Sequence, residues 1–502
     1  MKGCLVLQRR FAYIGHELAI LLKEKHGIDE FCAYTILRDS YDFLRTQKDI
    51  SYTGLLLDEE VQGTYKDEVL DPELLQRIER EYGSVWKFID VDRVIRYGQL
   101  VREYPHNTSP YSYEEMLRMV QVYVKRIEAF LDREKPDFVF TYIPGAMGML
   151  LLYTIAQKRG IPVITVVFPL TRDLITVSER FERLTWVDAA FTENLKKEPS
   201  AIARYKEAYE LITGFRNKPV IYSEVYNSLI QHGTLKQFEF LFPAKVTRTV
   251  RSLYGLFYDW VNKRDARADF TTIHPASYLF DRVKRKLRNL RGARDLYDEC
   301  DAQEPFVFFP LHFEPELAVY LLSPFETDQV TLVRRLARSV PAGMYVYVKE
   351  HPQMSQYRPR RFYKELKKIP NVRLLRPELS GFDIIRASKL VAIISGAAGW
   401  EACLLGKAVI TFGEPFYNTL PFVAHSSTPE ELPALVKKQL EDPQYSDESM
   451  IRFVAALLED GAQCDLLQVW EFERDRERKR EKLADFAALV ARKARLVTGT
   501  QR

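Results

Sequence analysis

A chain of 502 residues exceeds what one comfortable core accommodates, so two domains are expected. With 46% hydrophobic and 13% aromatic residues it has ample material to bury, which excludes global disorder. Its net charge of +4, from 73 basic against 69 acidic residues, gives no case for a nucleic-acid partner.

Five scattered cysteines (Cys4, Cys32, Cys300, Cys403, Cys464) show no CxxC spacing and are odd in number. That argues against a zinc site or a disulfide framework and fits a reducing cytoplasm. The opening MKGCLVLQRRF lacks the apolar core and cleavage site of a secretory signal.

Gly3–Leu7 reads as an opening strand, followed by a loop and an amphipathic helix ending near His26-Gly27, with Phe31–Leu37 as the next strand. Gly15, His16 and Glu17 lie after the opening strand, and Arg172 lies within Thr171–Asp173 after a later one. These are candidate acceptor contacts. Pro72–Tyr82 and Tyr113–Arg133 carry apolar positions at three- and four-residue steps, the helical pattern. Phe138–Ala156 is uncharged for long enough to span a bilayer, but Pro144, Gly145 and Gly148 interrupt it. A strand (FVFTY), a glycine turn and a helix explain it better. Ile161–Phe168 completes a strand–helix–strand succession, which implies parallel pairing with a right-handed crossover.

Residues from about Ser178 to Asp301 are mostly helical by pattern. Within them Arg282–Arg294 (RVKRKLRNLRGAR) is strongly basic and reads either as a solvated linker helix or as a contact with an anionic membrane surface. From Pro305 the rhythm becomes regular. Strand FVFFP leads through helix Asp328–Ser339, strand Met344–Val348, helix Arg360–Ile369 and strand Val372–Leu375. Helix Phe382–Ala387, strand Leu390–Ile394, helix Ala398–Leu405 and strand Ala408–Phe412 follow. That is a doubly wound half in outline, and after Pro429 only helices follow. The expected domains are therefore 1–300, Rossmann-like with helical insertions and a linker on the acceptor side; 301–460, Rossmann-like and nucleotide-sugar-binding; and 461–502, C-terminal helices.

Chemistry concentrates where apolar runs of this second half end abruptly. VYVKEHP places Lys349 and His351 just past a strand, where both can meet a phosphate, and Pro352 bends the chain away. IISGAAGWE offers Ser395 and Gly396 at a helix start suited to an anion. Gly399 follows, and Glu401 is placed to accept bonds from ribose hydroxyls. Those small residues also permit close packing of helix on sheet, and Trp400 reads as core. The loop LHFEPE carries His312, Glu314 and Glu316, and either glutamate can serve as general base or as nucleophile. GEPFY (413–417), after the last strand, can close over a ligand. GxGxxG, Walker A, HExxH and GxSxG are all absent, which removes dehydrogenase, P-loop, zincin and hydrolase-elbow readings.

The run FFPLHFEPE, VKEHP, SGAAGWEACLLGKAVITFGEPFY resembles the capsule polysaccharide biosynthesis family over about Pro305–Phe422. That family includes bacterial transferases that move Kdo, an acidic eight-carbon sugar, from its CMP conjugate. The resemblance implies a GT-B-like α/β fold, with two Rossmann-type doubly wound domains facing a cleft, extra helices in the N-terminal half and a helical C-terminus. It also implies that His351, Ser395 and Gly396 hold the donor phosphate. Kdo-transferring members carry a PLQ segment followed by a nucleophilic aspartate. Here the matching segment is Pro310-Leu311-His312, with Glu316 at the acid position, so the resemblance implies a catalytic loop without fixing Kdo as its sugar.

The expected function is glycosyl transfer in capsule or other surface-polysaccharide assembly, metal-independent and without a cofactor. The donor is a nucleotide sugar, CMP-linked favoured, and the acceptor a glycan or glycolipid. The expected compartment is the cytoplasm or the inner face of its membrane. A sugar-nucleotide epimerase, a polyol-phosphate transferase and a non-catalytic binding module on the same fold are the alternatives.

Overall fold

The computed structural model describes residues 1–7, 11–97, 109–171, 173–217, 243–262, 274–355 and 357–499, so the expected contact Arg172 lies outside the described residues. The chain opens with Lys2–Leu7 (β1), then helix Phe11–His26 (α1), then strands Glu30–Thr35 (β2) and Tyr52–Leu57 (β3). Helix Tyr113–Glu134 (α2) starts at a capping box in which Ser112 and Glu115 satisfy each other's backbone N–H groups. Phe138–Tyr142 (β4), helix Met147–Lys158 (α3), Val163–Val167 (β5) and Leu174–Ser178 (β6) follow. Strands β1, β4 and β5 are continuous, almost wholly buried runs of apolar and β-branched residues, as strands covered on both faces must be. They form a sheet ordered β6-β5-β4-β1-β2-β3, parallel except where β6 runs against β5. Residues 138–156 are thus a strand, a turn and most of a helix. Among the described residues no helix is long and apolar enough to cross a membrane.

Gly15 and His16 do not form an acceptor loop. They are buried inside α1, and a Cβ on Gly15 would lie 2.3 Å from Leu7 Cδ2, so glycine lets the helix close on β1. His16 Nδ1 sits 3.0 Å from the Tyr52 hydroxyl, and burial pushes its imidazole below the usual range. The loop reading failed because the helix begins as early as Phe11.

In the second half, helices Pro243–Asn262 (α4) and Pro275–Arg291 (α5) precede the strands Phe306–Pro310 (β7), Tyr345–Lys349 (β8), Val372–Leu375 (β9), Leu390–Ile393 (β10), Ala408–Thr411 (β11) and Val423–His425 (β12). These six form a fully parallel sheet ordered β12-β11-β10-β7-β8-β9. Its core includes Val307, Phe309, Val346, Val348, Leu374, Ala392 and Ile410. Helices Gln329–Ser339 (α6), Arg360–Lys367 (α7) and Ala397–Leu404 (α8) connect the strands, and α6 is capped by the Asp328 carboxylate. From β7 the chain builds outward through β8 and β9, then returns to lay β10 on the other side. The carboxyl ends of β7 and β10 therefore flank the switch point where open α/β sheets bind ligands.

The C-terminus returns to the first sheet. Ala462–Gln463 (β13) pairs antiparallel with β6, a strand too short to show alternation in the sequence, where only helices were expected. Helix Arg476–Thr498 (α9) packs on α1, burying Phe486, Leu489 and Val490 in the core that holds Leu18 and Leu22. Arg476 and Arg480 both pair with Glu17, at 2.7 and 2.9 Å. One compact unit accordingly comprises Met1–Arg96, Pro110–Arg204 and Ala455–Arg502, and the other is built on Tyr205–Val454. These divisions differ from the expected breaks at 300 and 460. The final helix joins the first core, while α5 docks in the second unit through Arg288, whose guanidinium donates to the Tyr357 carbonyl at 2.8 Å.

Candidate active site

Adjacent strands β10, β7 and β8 deliver the three loops singled out above to one edge of their sheet. Pro310 at the end of β7 is in register with Lys349 at the end of β8. His312, two residues on, is pinned from several directions. Its backbone N–H donates to Gln329 Oε1 at 2.7 Å, and its carbonyl accepts from Arg358 at 2.7 Å. Its imidazole Nε2 lies 2.6 Å from the Ser395 carbonyl and 3.3 Å from the Ser395 backbone N–H, and the shorter contact favours the tautomer with the ring proton on Nε2. Burial pushes the ring down to about 4, so it is neutral, and Nδ1 is left buried without a partner among the described residues. His312 thus ties the β7 loop to the β10 loop. The next residue faces the other neighbour, the Phe313 ring meeting His351 edge-on with centroids 5.6 Å apart.

Beneath these loops lies a buried charge cluster. Arg358, 2% exposed, donates to the Glu350 carboxylate and stands 3.3 Å from Glu314 Oε2. Glu350 also accepts from the Tyr363 hydroxyl at 2.9 Å and from the His351 backbone N–H at 2.6 Å. Desolvation raises both carboxyls, and the Arg358 guanidinium opposes that rise. Glu314 therefore serves the cluster: it is buried, with one oxygen taken by Gln329 and the other paired with Arg358. Of the two glutamates in LHFEPE, only Glu316 keeps an open surface.

Lys349, Glu316 and Glu401 have no side-chain partner among the described residues, and His351 engages only one ring nitrogen. Lys349 is nearly buried and, among the described residues, makes no hydrogen bond or ion pair; loss of solvent lowers its ammonium to about 8. His351 caps the short helix Pro352–Met354, its Nδ1 accepting from the Gln353 N–H at 3.3 Å. That bond leaves the ring proton on Nε2, pointing away from the cap. Burial first, then the charges of Lys349, Arg358 and His312, lower His351 to about 3, so it offers a neutral N–H donor rather than a cation. Glu316 and Glu401 have no side-chain partner among the described residues, and desolvation raises each to about 7. Glu316 is exposed by area while protein crowds its carboxyl. Water at the open surface tempers the rise, so it stands above the ordinary carboxylate range in direction more than in amount.

The SGAAGWE segment divides between site and packing. Ser395 is wholly buried, and the accessible surface belongs to Gly396, Ala397 and Ala398, the half-open first turn of α8. Gly396 takes φ +96°, a left-handed conformation that favours glycine, and its carbonyl accepts from the Tyr417 hydroxyl at 3.0 Å. Gly399 is a packing residue: a Cβ there would meet Tyr417 Oη at 2.2 Å and Ile393 Cγ2 at 3.0 Å. Trp400 is core, against Phe416, Tyr417 and Phe453, so the aromatics of GEPFY brace α8 from behind. Reading the sequence missed Glu350, Arg358, Gln329 and Tyr363. The signal available for Glu350 was an acid inside an otherwise ligand-like VKEHP, with an arginine eight residues on.

Residues 264–430 match the family described as capsule polysaccharide biosynthesis protein. Among curated relatives, Protein FixF of Sinorhizobium fredii is 30% identical over 131 residues, which are 26% of this chain and 31% of FixF. The chain thus aligns with about a third of that relative's length. Among solved structures, the chain is similar to Thermosulfurimonas dismutans KpsC, a beta Kdo 2,7 transferase, with 15% identity, 80% of this chain and 97% of the other covered, and a TM-score of 0.32. It is also similar to the UDP-GlcNAc 2-epimerase of Neisseria meningitidis, with 13% identity, 91% and 98% covered, and a TM-score of 0.27. The match to the capsule polysaccharide biosynthesis family spans residues 264–430, the part of the chain that carries β7 to β12 and the three loops of the site.

Proposed function

We propose that this protein is a glycosyltransferase of capsule or related surface-polysaccharide assembly, taking its sugar from a nucleotide donor, CMP-linked favoured. The observation that carries the reading is Lys349. A nearly buried ammonium with no hydrogen bond or ion pair among the described residues, at the end of a strand beside the switch point and only partly offset by Glu350 and Glu378, is costly to the fold unless an anion completes it. In this reading the donor phosphate takes that ammonium, the Nε2–H of His351 and the N–H groups of the first turn of α8. Glu401 accepts from the ribose hydroxyls. Glu316, held above the ordinary carboxylate range by desolvation, supplies the carboxyl chemistry as general base toward an acceptor hydroxyl or as nucleophile at the anomeric carbon. His312 and Glu314 are positioning residues that hold the loop on which Glu316 stands. The acceptor is a glycan or glycolipid, and the cytoplasmic side is the expected place of work.

The test is product analysis with CMP- and UDP-sugars and a glycan acceptor. Transfer should depend on Glu316, with Glu316→Gln losing roughly a hundredfold or more in turnover and the acidic limb of the rate profile disappearing. Epimerised donor without transfer would replace this reading with the epimerase one.

A further inference from the structure

Helix α5 is folded the wrong way out for a helix in water. Its charged face looks inward: Asp281 pairs with Arg285 at 2.6 Å, Arg285 lies over the Tyr357 ring at 5.2 Å, and Arg288 donates to the Tyr357 carbonyl. Its apolar stripe looks out. Leu279, Val283, Leu287 and Leu290, at steps of four, four and three, are all exposed together with Phe280, Leu287 to 61% and Phe280 to 66%. Helix α4, packed against α5, repeats the pattern with Val246, Val250, Tyr254, Phe257 and Val261, and Tyr254 is 67% exposed. A soluble helix buries such a stripe; here two neighbouring helices both present one.

Charge says what covers it. Helix α5 carries Arg282, Lys284, Arg285, Lys286, Arg288 and Arg291 against the single acid Asp281. Arg285 and Arg288 are turned onto Tyr357. On the helical wheel Arg282 and Lys286 border one edge of the apolar stripe, and Lys284 and Arg291 the other. Long basic side chains beside an apolar stripe reach back to a polar layer while the stripe sits in hydrocarbon. Tyrosine and phenylalanine on α4 suit the same boundary.

We infer that α4 and α5 form a docking surface for an anionic lipid bilayer, lying in the headgroup boundary without crossing it. This goes beyond the transferase reading and needs no nucleotide, so its failure would leave that reading standing.

The experiment is co-sedimentation of the full chain with vesicles of phosphatidylcholine alone and of phosphatidylcholine mixed with phosphatidylglycerol. Binding should require the anionic lipid and weaken as salt rises. The variant Tyr254→Glu/Phe280→Glu/Leu287→Glu should bind roughly tenfold more weakly or worse, and Arg282→Gln/Lys284→Gln/Arg291→Gln likewise, both with unchanged helical circular dichroism. Should a variant fail to fold, the lipid and salt dependence of the unaltered chain decides alone. Equal binding to both vesicle types, or to neither, overturns the inference. So does a dimer in sedimentation equilibrium that the glutamate substitutions dissolve, which would give this face to a second copy of the chain.

Discussion

Replacing Lys349 by methionine should stabilise the free protein while impairing its use. The ammonium falls from 10.5 to about 8 because burial strips its water, with Glu350 and Glu378 recovering part of the loss. A displacement of this size corresponds to roughly 3 kcal/mol of penalty at most, at about 1.36 kcal/mol per pKa unit. The sign follows from which state holds the proton more weakly. Below pH about 8 the lysine is charged in both states and the folded state bears the full penalty. Between there and the unfolded value near 10.4 the folded protein loses its proton first, and the penalty fades. Lys349→Met should therefore raise stability by about 1–3 kcal/mol at pH 7, with a gain that shrinks toward pH 10. Methionine keeps the stem's packing, so no cavity offsets the gain. Urea unfolding across that pH range, followed by tryptophan emission, measures it. The same samples with CMP supply the functional arm. A ligand at about 100 times its Kd adds about 2.7 kcal/mol to the unaltered protein, and the variant should lose most of that increment. A variant less stable than the parent at pH 7, or a gain indifferent to pH, would mean the ammonium is already satisfied and that the argument for an anion is wrong.

Three further outcomes are expected. His351→Ala should lower turnover at least tenfold while costing only about 1 kcal/mol of stability from the lost cap on Gln353, as steady-state kinetics beside thermal melts would show. Arg358→Met should destabilise by about 3–5 kcal/mol, because Glu314 and Glu350 would stay buried without their cation. Its deficit should grow from pH 5 to pH 8, since both carboxyls stand above their ordinary value and the folded state resists releasing their protons. Gly399→Ala should cost about 1–3 kcal/mol by crowding the buried Tyr417, and nucleotide affinity measured by calorimetry should drop with it as the bond to Gly396 is displaced.

How legible each part was depended on whether its cause is local. Strands β7 to β11 and their helices showed through because each is an apolar run closed by a turn or cap, a pattern written within a dozen residues. Strand β13 and the docking of α9 were hidden, since a two-residue strand has no period and its partner β6 lies almost three hundred residues earlier. The site split along the same line. Lys349 and His351 could be named from strand-end position, Glu316 from the loop after β7 and Glu401 from the helix after β10. That Glu314 is committed and Glu316 open could not, because the difference is made by Arg358 and Gln329, which approach from other elements. Nor could the inward charged face of α5: its basic run is visible in the sequence, but which of those residues turn toward Tyr357 is decided by docking.

The two His-Pro pairs of the chain separate what a motif does from what its place does. His274 and His351 both precede a proline that opens a helix, and in both the imidazole accepts from the backbone N–H two residues on. The local chemistry is the same: proline lacks an N–H, the histidine ring caps the next free one, and the ring proton is forced onto Nε2. What differs is the surroundings. His274 is exposed at the start of α5, whereas His351 follows a buried strand, has its own N–H held by Glu350, and lies within reach of the charge of Lys349. The second ring is kept neutral by burial and stands at a sheet edge beside a cation. Both His-Pro pairs of this chain therefore report a cap, and the binding role proposed for His351 rests on the strand end and the buried acid that hold it.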